Sequence, residues 1–381
     1  MDGTENRSPF ESARALSALI RGSADQIEAH RELPQALFEA LADAGMFLLA
    51  LPRSIGGIEL DLPSYIQVLE EIGTADASTA WIVNQCAIFA TYAARMPAEV
   101  ARAIWIDTPR SAVANTPVAN AQAKAVPGGY RVSGRHGFSS GCRHAAWLAA
   151  RGRVATNSEP EERYFFVPAA QAELLDTWHV RGMRGTGTLD FAVNDVFVPA
   201  ERTVLQAGAP LRENGPLYQI PRSLLFATGD AAVALGLARS CLGAFRELAT
   251  AKTPRLMQGA LREQSLVQAA VGRAEAHVRS GRAFLTEAVC ALWSETASMG
   301  SNTQERRAAL RLATTHAIQL SVEVVDALYK AAGVSVIYEG NLIQRHFQDI
   351  HIISQHMQAR LTNYEIVGKH ALGLKVDPSR L

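Results

Sequence analysis

Two histidines near the C-terminus carry the most chemistry in this chain, in the run Gln348-Asp349-Ile350-His351-Ile352-Ile353-Ser354-Gln355-His356. Imidazole titrates near neutral pH, so either ring could act as a general base. If both lie on one helix, an offset of five residues turns one roughly 140° from the other. The two rings then cannot easily share a metal, and HExxH spacing is absent. Arg345 and Asp349 are four apart and could pair on one helix face. A lone histidine in a helix is more often structural than catalytic, and the residues alone leave both roles open.

Two other segments, and the cysteines, invite a chemical reading. Gly182-Met183-Arg184-Gly185-Thr186-Gly187 has the spacing GxxGxG, and strand-like Phe191–Val198 follows it. A dinucleotide fingerprint needs GxGxxG at a helix N-terminus, so this segment reads as a tight turn between strands. Ser139-Ser140-Gly141-Cys142 ends the strand-like RVSGRHGF. Its two hydroxyls and free N–H groups could bind a polar heterocycle, although SSG is also a common turn. Cys86, Cys142, Cys241 and Cys290 are widely spaced with no CxxC pair, which argues against zinc ribbons, redox motifs and a disulfide framework. Cys142 reads as a small buried residue. No GxSxG elbow, P-loop or Ser-His-Asp ordering is present.

Elements that would position these residues follow from periodicity. Helical spacing runs through Ala13–His30, then from Pro34 to Gly45, then through Leu62–Gly73 and Ala77–Arg95. Leu51–Gly57 is a loop. From Ser111 to Glu201 the pattern shortens to candidate strands at Ala123–Val126, Tyr130–Val132, Trp147–Ala150, Tyr164–Pro168 and Phe191–Val198. Gly128-Gly129 sits where a hairpin turns, and Thr156–Glu162 reads as an exposed loop. A small antiparallel barrel or sandwich is expected there. Helical period returns in Ala227–Thr250, Ser265–Ser298, Thr303–Ala332 and Asn341–Lys369, which predicts a bundle. No βαβ alternation supports a Rossmann sheet, and no tandem repeat appears.

Lys+Arg and Asp+Glu are both 37, so a formally neutral chain has no general pull on nucleic acid or anionic membrane. No uninterrupted apolar run approaches membrane-span length, and the polar N-terminal stretch is not a signal peptide. A cytoplasmic protein that binds neither nucleic acid nor membrane is expected.

Several motifs, in order, resemble the acyl-CoA dehydrogenase superfamily across almost the whole chain. They are Leu51-Pro52 with Gly56-Gly57; Gly73-Thr74-Ala75-Asp76-Ala77-Ser78-Thr79-Ala80-Trp81; and Gly129–Arg135 with Phe138–Cys142. Trp178 with Gly182–Thr188 and Asp195–Pro199 continue the series. The resemblance implies a mainly α fold with a central β domain: an N-terminal helical domain (1–108), a β-barrel domain (109–220) and a C-terminal four-helix bundle (221–381). Dehydrogenases of this family carry a glutamate base in a YEG-type segment after an RD pair. When Gln348-Asp349 is placed on that pair, His356-Met357-Gln358 falls on the YEG position, and Tyr338-Glu339-Gly340 lies before it.

This pattern resembles the flavin-dependent monooxygenase branch, which includes hydroxyphenylacetate hydroxylase oxygenase components, dibenzothiophene monooxygenases and nitrososynthases. The resemblance implies a two-component enzyme. A separate reductase would supply reduced flavin, FMN ahead of FAD, and a C4a-hydroperoxide formed with O2 would hydroxylate or N-oxidise a small organic substrate, aromatic, polyketide-like or amine. His356 and Ser139 are then the catalytic candidates. Asn115, Thr116, Ser139, Ser140, Thr186 and Thr188 are candidates for the flavin ring. Lys252, Arg255 and Gln268 are candidates for its phosphate or tail, reaching from a neighbouring subunit of a homotetramer. Trp81, Asn84, Phe89, Tyr92 and His351 would line the substrate pocket, and no metal is implied. Phe89 departs from the branch's phenol hydroxylases, which place a second histidine there. Two alternatives remain: a dehydrogenase using Glu339, and a non-catalytic flavin-fold subunit.

Overall fold

The structure, a computed structural model, describes residues 7–154, 161–255 and 258–381. Helices α1 (Pro9–Gly22), α2 (Ala24–His30), α3 (Gln35–Asp43), α4 (Leu62–Ala75), α5 (Ala77–Phe89) and α6 (Ala98–Trp105) come first. Strands β1 (Val113–Asn115), β2 (Ala121–Val126), β3 (Gly129–Ser139), β4 (Trp147–Val154), β5 (Glu161–Pro168), β6 (Glu173–Leu175), β7 (Leu189–Pro199) and β8 (Thr203–Leu205) follow. Helices α7 (Pro216–Gln219), α8 (Arg222–Ala251), α9 (Ser265–Met299), α10 (Gln304–Ala332), α11 (Leu342–Ile353) and α12 (Thr362–Ala371) complete the described chain.

These elements form two compact units that interleave along the sequence. The first holds the chain through Asp61, Trp81–Val180 and Arg184–Gln219. Its sheet runs β6-β7-β3-β2-β4-β5-β8, with β1 on β4. The sheet is mixed rather than antiparallel throughout, because β4 pairs in parallel with both β1 and β2. The β2–β3 hairpin closes through Pro127-Gly128, with Gly129 already paired to Val126. Alternation sends Val132, Phe165, Val167, Phe191 and Val193 into one apolar core. The expected strands are found in place. Strands β1, β6 and β8 have only three residues each, too few for alternation to mark them. Of the expected Thr156–Glu162 loop, 156–160 lie outside the described residues. Glu161 and Glu162 belong to β5.

The second unit holds Leu62–Ala80, Arg181–Met183 and Ile220–Leu381. Its axis is α8, packed against α4 and α10; α10 in turn packs on α9, α11 and α12. Small residues allow the closest approach: a Cβ on Gly236 of α8 would sit 2.5 Å from the Glu70 carbonyl oxygen of α4. The Glu70 carboxylate, itself buried, holds Arg239 at 2.5 Å and Arg282 at 2.9 Å, tying α4, α8 and α9. Among the described residues, α8 is long and apolar enough to cross a membrane by composition. However, 83% of its most apolar window is buried inside the protein, which is the condition of a core helix.

Three helical stretches change where the periodicity reads through: Ala77–Arg95 is α-helical only to Phe89 and tightens into a 3-10 segment over Ala90–Arg95, and two others break. Ala13–His30 divides at Gly22-Ser23, where the Ser23 hydroxyl donates back to the Leu19 carbonyl at 2.9 Å. The last stretch ends at Ile353 and resumes at Thr362. His356 therefore lies beyond the helix of His351, on extended backbone (φ −66°, ψ 150°), and the single-helix geometry expected for the pair does not apply.

Candidate active site

The chemistry-bearing residues fall in two sets, one in each unit. In the first unit, β3 ends in an irregularity between His136 and Ser139, where Phe138 takes a left-handed φ of 60°. Such a backbone is uncommon for a bulky residue. Here it re-aims the strand end so that Ser139 and Ser140 are both buried while Phe138 is exposed. The Trp81 indole N–H donates to Ser140 Oγ at 3.3 Å. Ser140 Oγ lies 2.9 Å from Thr188 Oγ1, which lies 2.6 Å from Thr186 Oγ1. An indole can only donate, so Ser140 accepts there and keeps its own proton for another partner. Ser139 Oγ is fully buried and has no hydrogen-bond partner among the described residues. A buried orphan hydroxyl costs free energy and calls for an explanation, a ligand being one.

Thr188 joins the two ends of this hydroxyl row. Thr188→Val keeps the side-chain shape and removes both bonds. It is expected to lower stability by about 1–3 kcal/mol, read from the urea midpoint. An unchanged midpoint would mean that the row contributes nothing to the fold.

Thr116 is held by backbone: its hydroxyl donates to the Gly137 carbonyl at 2.8 Å and accepts the Val118 amide at 3.3 Å. Asn115 ends β1, half-buried. Phe89 is buried among the rings of Tyr92 (4.8 Å), Tyr164 (5.1 Å) and Phe166 (5.8 Å). Asn84 is fully buried on α5.

In the second unit, His356 Nδ1 lies 3.0 Å from Asp230 Oδ2. Asp230 is fully buried on α8, whereas the imidazole is about a third exposed at 31%. The contact has the distance of an ion pair without the alignment of a full hydrogen bond. Bonds from α10 and from Asn363 on α12 pin the connection that carries His356. Arg311 donates to Gln358 Oε1, and Thr315 Oγ1 donates to the Gln358 carbonyl at 3.2 Å. Gln319 donates to the Ala359 carbonyl at 2.8 Å, and Asn363 to the Gln358 carbonyl at 2.9 Å. Arg311 is buried, and desolvation pulls its guanidinium down to about 10.

His351 turns elsewhere. Its Nε2 lies 2.9 Å from Asp326 Oδ1 on α10, and its ring packs T-shaped against Phe347 with centroids 4.6 Å apart. The two histidines thus pair with carboxylates on different helices. Among the described residues, no group of three or more His, Cys, Asp or Glu is placed to hold a metal. Asp349 accepts the Met183 amide on its Oδ1. Lys252 Nζ donates to the Ala332 carbonyl at 2.6 Å and so closes the end of α10. Arg255 is exposed, and Gln268, also exposed, donates to the Arg262 carbonyl at 3.1 Å. Sequence reasoning missed Asp230 and the Arg311–Gln358 contact. A lone acid within the apolar run Ala227–Leu235 was the available signal.

Two family models match this chain: "Acyl-CoA dehydrogenase, N-terminal domain" over residues 11–107, and "Acyl-CoA dehydrogenase, C-terminal domain" over residues 228–360. The chain is 28% identical to an indole-3-acetate monooxygenase of Pseudomonas putida, covering 98% of this chain and 97% of that protein. It is 26% identical to the flavin-dependent monooxygenase oxygenase subunit HsaA of Mycobacterium tuberculosis, over 93% of both. A crystal structure of M. tuberculosis HsaA superposes with a TM-score of 0.89 at 25% identity, covering 98% of this chain and 99% of that one.

Proposed function

The chain belongs to the acyl-CoA dehydrogenase superfamily, and we propose that within it this protein is the oxygenase component of a two-component flavin-dependent monooxygenase. The observation that carries the reading is His356. It stands one residue before Met357, the residue that falls where the resemblance puts a dehydrogenase's glutamate base, and it is paired with a buried aspartate. Likeness to a monooxygenase and to the oxygenase subunit of another along nearly the full chain supports the same assignment. Glu339, the base a dehydrogenase would need, is exposed on the turn before α11, where water would compete for any proton it moved.

The residues present fit a flavin. The orphan Ser139 hydroxyl and the Trp81–Ser140–Thr188–Thr186 row offer buried donors and acceptors suited to the polar edge of a heterocycle. When bound, reduced flavin would supply the two electrons that activate oxygen. Ser139 and Ser140 would hold the ring, with Thr186 and Thr188 behind them. Asn115 and Thr116 would shape that edge through backbone. Arg255 and Gln268 would reach a phosphate or tail on a neighbouring subunit, and Lys252 would steady the end of α10 beside them. His356 would hold or accept a proton at its imidazole. Trp81, Asn84, Phe89 and Tyr92 would shape the surroundings of a small aromatic substrate, while His351 is committed to Asp326.

A separate reductase would deliver the flavin, FMN being the first to test and FAD the second. A homotetramer in the cytoplasm completes the reading. The exposed apolar group Val334, Ile337, Tyr338 and Leu342 supports self-association.

The test supplies chemically reduced FMN or FAD and ¹⁸O₂ with a panel of small aromatic and amine substrates. The expected result is one labelled oxygen atom in a product. If a thioester substrate instead bleaches bound oxidised flavin without oxygen, the protein is a dehydrogenase and the proposal fails.

A further inference from the structure

We infer that Asp230 is the positioning residue for His356: it fixes the ring proton on Nδ1 and leaves Nε2 as the basic atom. The inference rests on the oxygenase reading above and deepens it.

The placement of Asp230 is costly for the fold. It is completely buried, eight residues into a helix that begins at Arg222, amid the run Ala227-Thr228-Gly229-Asp230-Ala231-Ala232-Val233. That far from the N-terminus, the helix dipole gives it no support. Asp is also a poor residue for a helix interior. A carboxylate taken out of water costs several kcal/mol unless a partner compensates. The imidazole of His356 is a partner at 3.0 Å.

An ionised carboxylate can only accept, so the nitrogen facing it must carry hydrogen. Neutral imidazole has one N–H. If Nδ1 holds it towards Asp230, the lone pair is left on Nε2. A proton accepted at Nε2 then gives an imidazolium that the carboxylate stabilises, while Asp230 itself gains no proton. His351 is arranged the other way, with Nε2 against Asp326, so the geometry distinguishes the two histidines by the nitrogen each commits.

The surrounding clamp makes the relation rigid. Thr315, Gln319 and Asn363 bond the carbonyls of Gln358 and Ala359, and the His356 carbonyl accepts the Ala359 amide at 2.9 Å. With the backbone held, the 3.0 Å separation already lies within hydrogen-bond distance. Catalytic hydrogen bonds are often loose before ligands bind.

The test is long-range ¹H–¹⁵N NMR of the full chain labelled with ¹⁵N-histidine, without flavin, at a pH where the rings are neutral. His356→Gln identifies the resonance. The wild type is expected to show His356 protonated on Nδ1 and bare on Nε2. In Asp230→Asn, whose amide can donate to Nδ1, at least half of the population should move to the Nε2–H form. Product formed per oxygen consumed should fall tenfold or more in that variant, with flavin affinity within twofold of wild type. A wild-type ring carrying its proton on Nε2 overturns the inference, as does an unchanged tautomer in Asp230→Asn. Should Asp230→Asn fail to fold, the wild-type tautomer still decides. Because the NMR readout needs no turnover, the expected tautomer without oxygen incorporation would refute the oxygenase reading alone.

Discussion

Replacing His356 with alanine is expected to cut product formed per oxygen consumed by about 100-fold, while flavin affinity stays within about twofold. A positioned acid or base contributes roughly 10²–10⁴ to rate, and the lower end is the safer expectation for a single proton transfer. Oxygen consumption should persist, because reduced flavin reacts with oxygen without help from this ring. The loss therefore appears in the ratio of product to oxygen rather than in oxygen uptake alone.

Alanine also strips the imidazole from the buried Asp230 carboxylate. That costs stability by about 1–3 kcal/mol, below the 3–5 typical of breaking a fully buried pair, because the ring is partly exposed. His356→Gln separates the two effects. Glutamine keeps a neutral donor for Asp230 but cannot act as a base near neutral pH, so stability should recover while coupling stays low. Wild-type coupling in either variant would remove His356 from the reaction.

The long elements were legible because repetition makes the signal. Thirty or so residues of helical period in α8, α9 and α10 leave no competing reading, whereas β7 alternates only over Leu189–Val193 and only Tyr130–Val132 of β3 reads as a candidate strand, because register shifts interrupt its alternation. Irregular backbone was not legible. The connection that carries His356 contains neither Gly nor Pro from Ser354 to Leu361, so nothing local ends α11 there. What interrupts it is tertiary: Arg311, Thr315 and Gln319 of α10 and Asn363 of α12 bond the backbone and side chain of that segment. Asp230 was hidden for the same reason. Its meaning lies in a residue 126 positions further on, and a neutral, apolar run gives no hint of the partner. The hydroxyls of the β3 end were visible as residue types, but which of them is orphaned depends on the Phe138 kink.

Gly182→Ala should destabilise the protein by about 3 kcal/mol or more, a large effect for one methyl group. Gly182 begins the glycine-rich segment that superficially suggests a nucleotide loop, and its packing gives it a different task. A Cβ there would stand 2.2 Å from the Gln348 carbonyl oxygen, 2.3 Å from its carbon and 2.7 Å from the Asp349 nitrogen. All three are backbone atoms of α11, so no flexible side chain can swing aside. Only glycine lets the turn lie flat enough for the Met183 amide to reach the Asp349 carboxylate. Gly272→Ala is the matched control. That glycine lies inside α9 with nothing within 4 Å of its would-be Cβ, so the same added methyl should stabilise by about 0.5–1 kcal/mol. Urea midpoints of the two variants should thus move in opposite directions. Since α11 ends three residues before His356, the lost seat should reach the reaction as well, lowering coupling in folded Gly182→Ala protein and not in Gly272→Ala. A Gly182→Ala protein as stable as wild type would mean that the turn does not rest on α11, and the account of what seats the histidine would have to begin elsewhere.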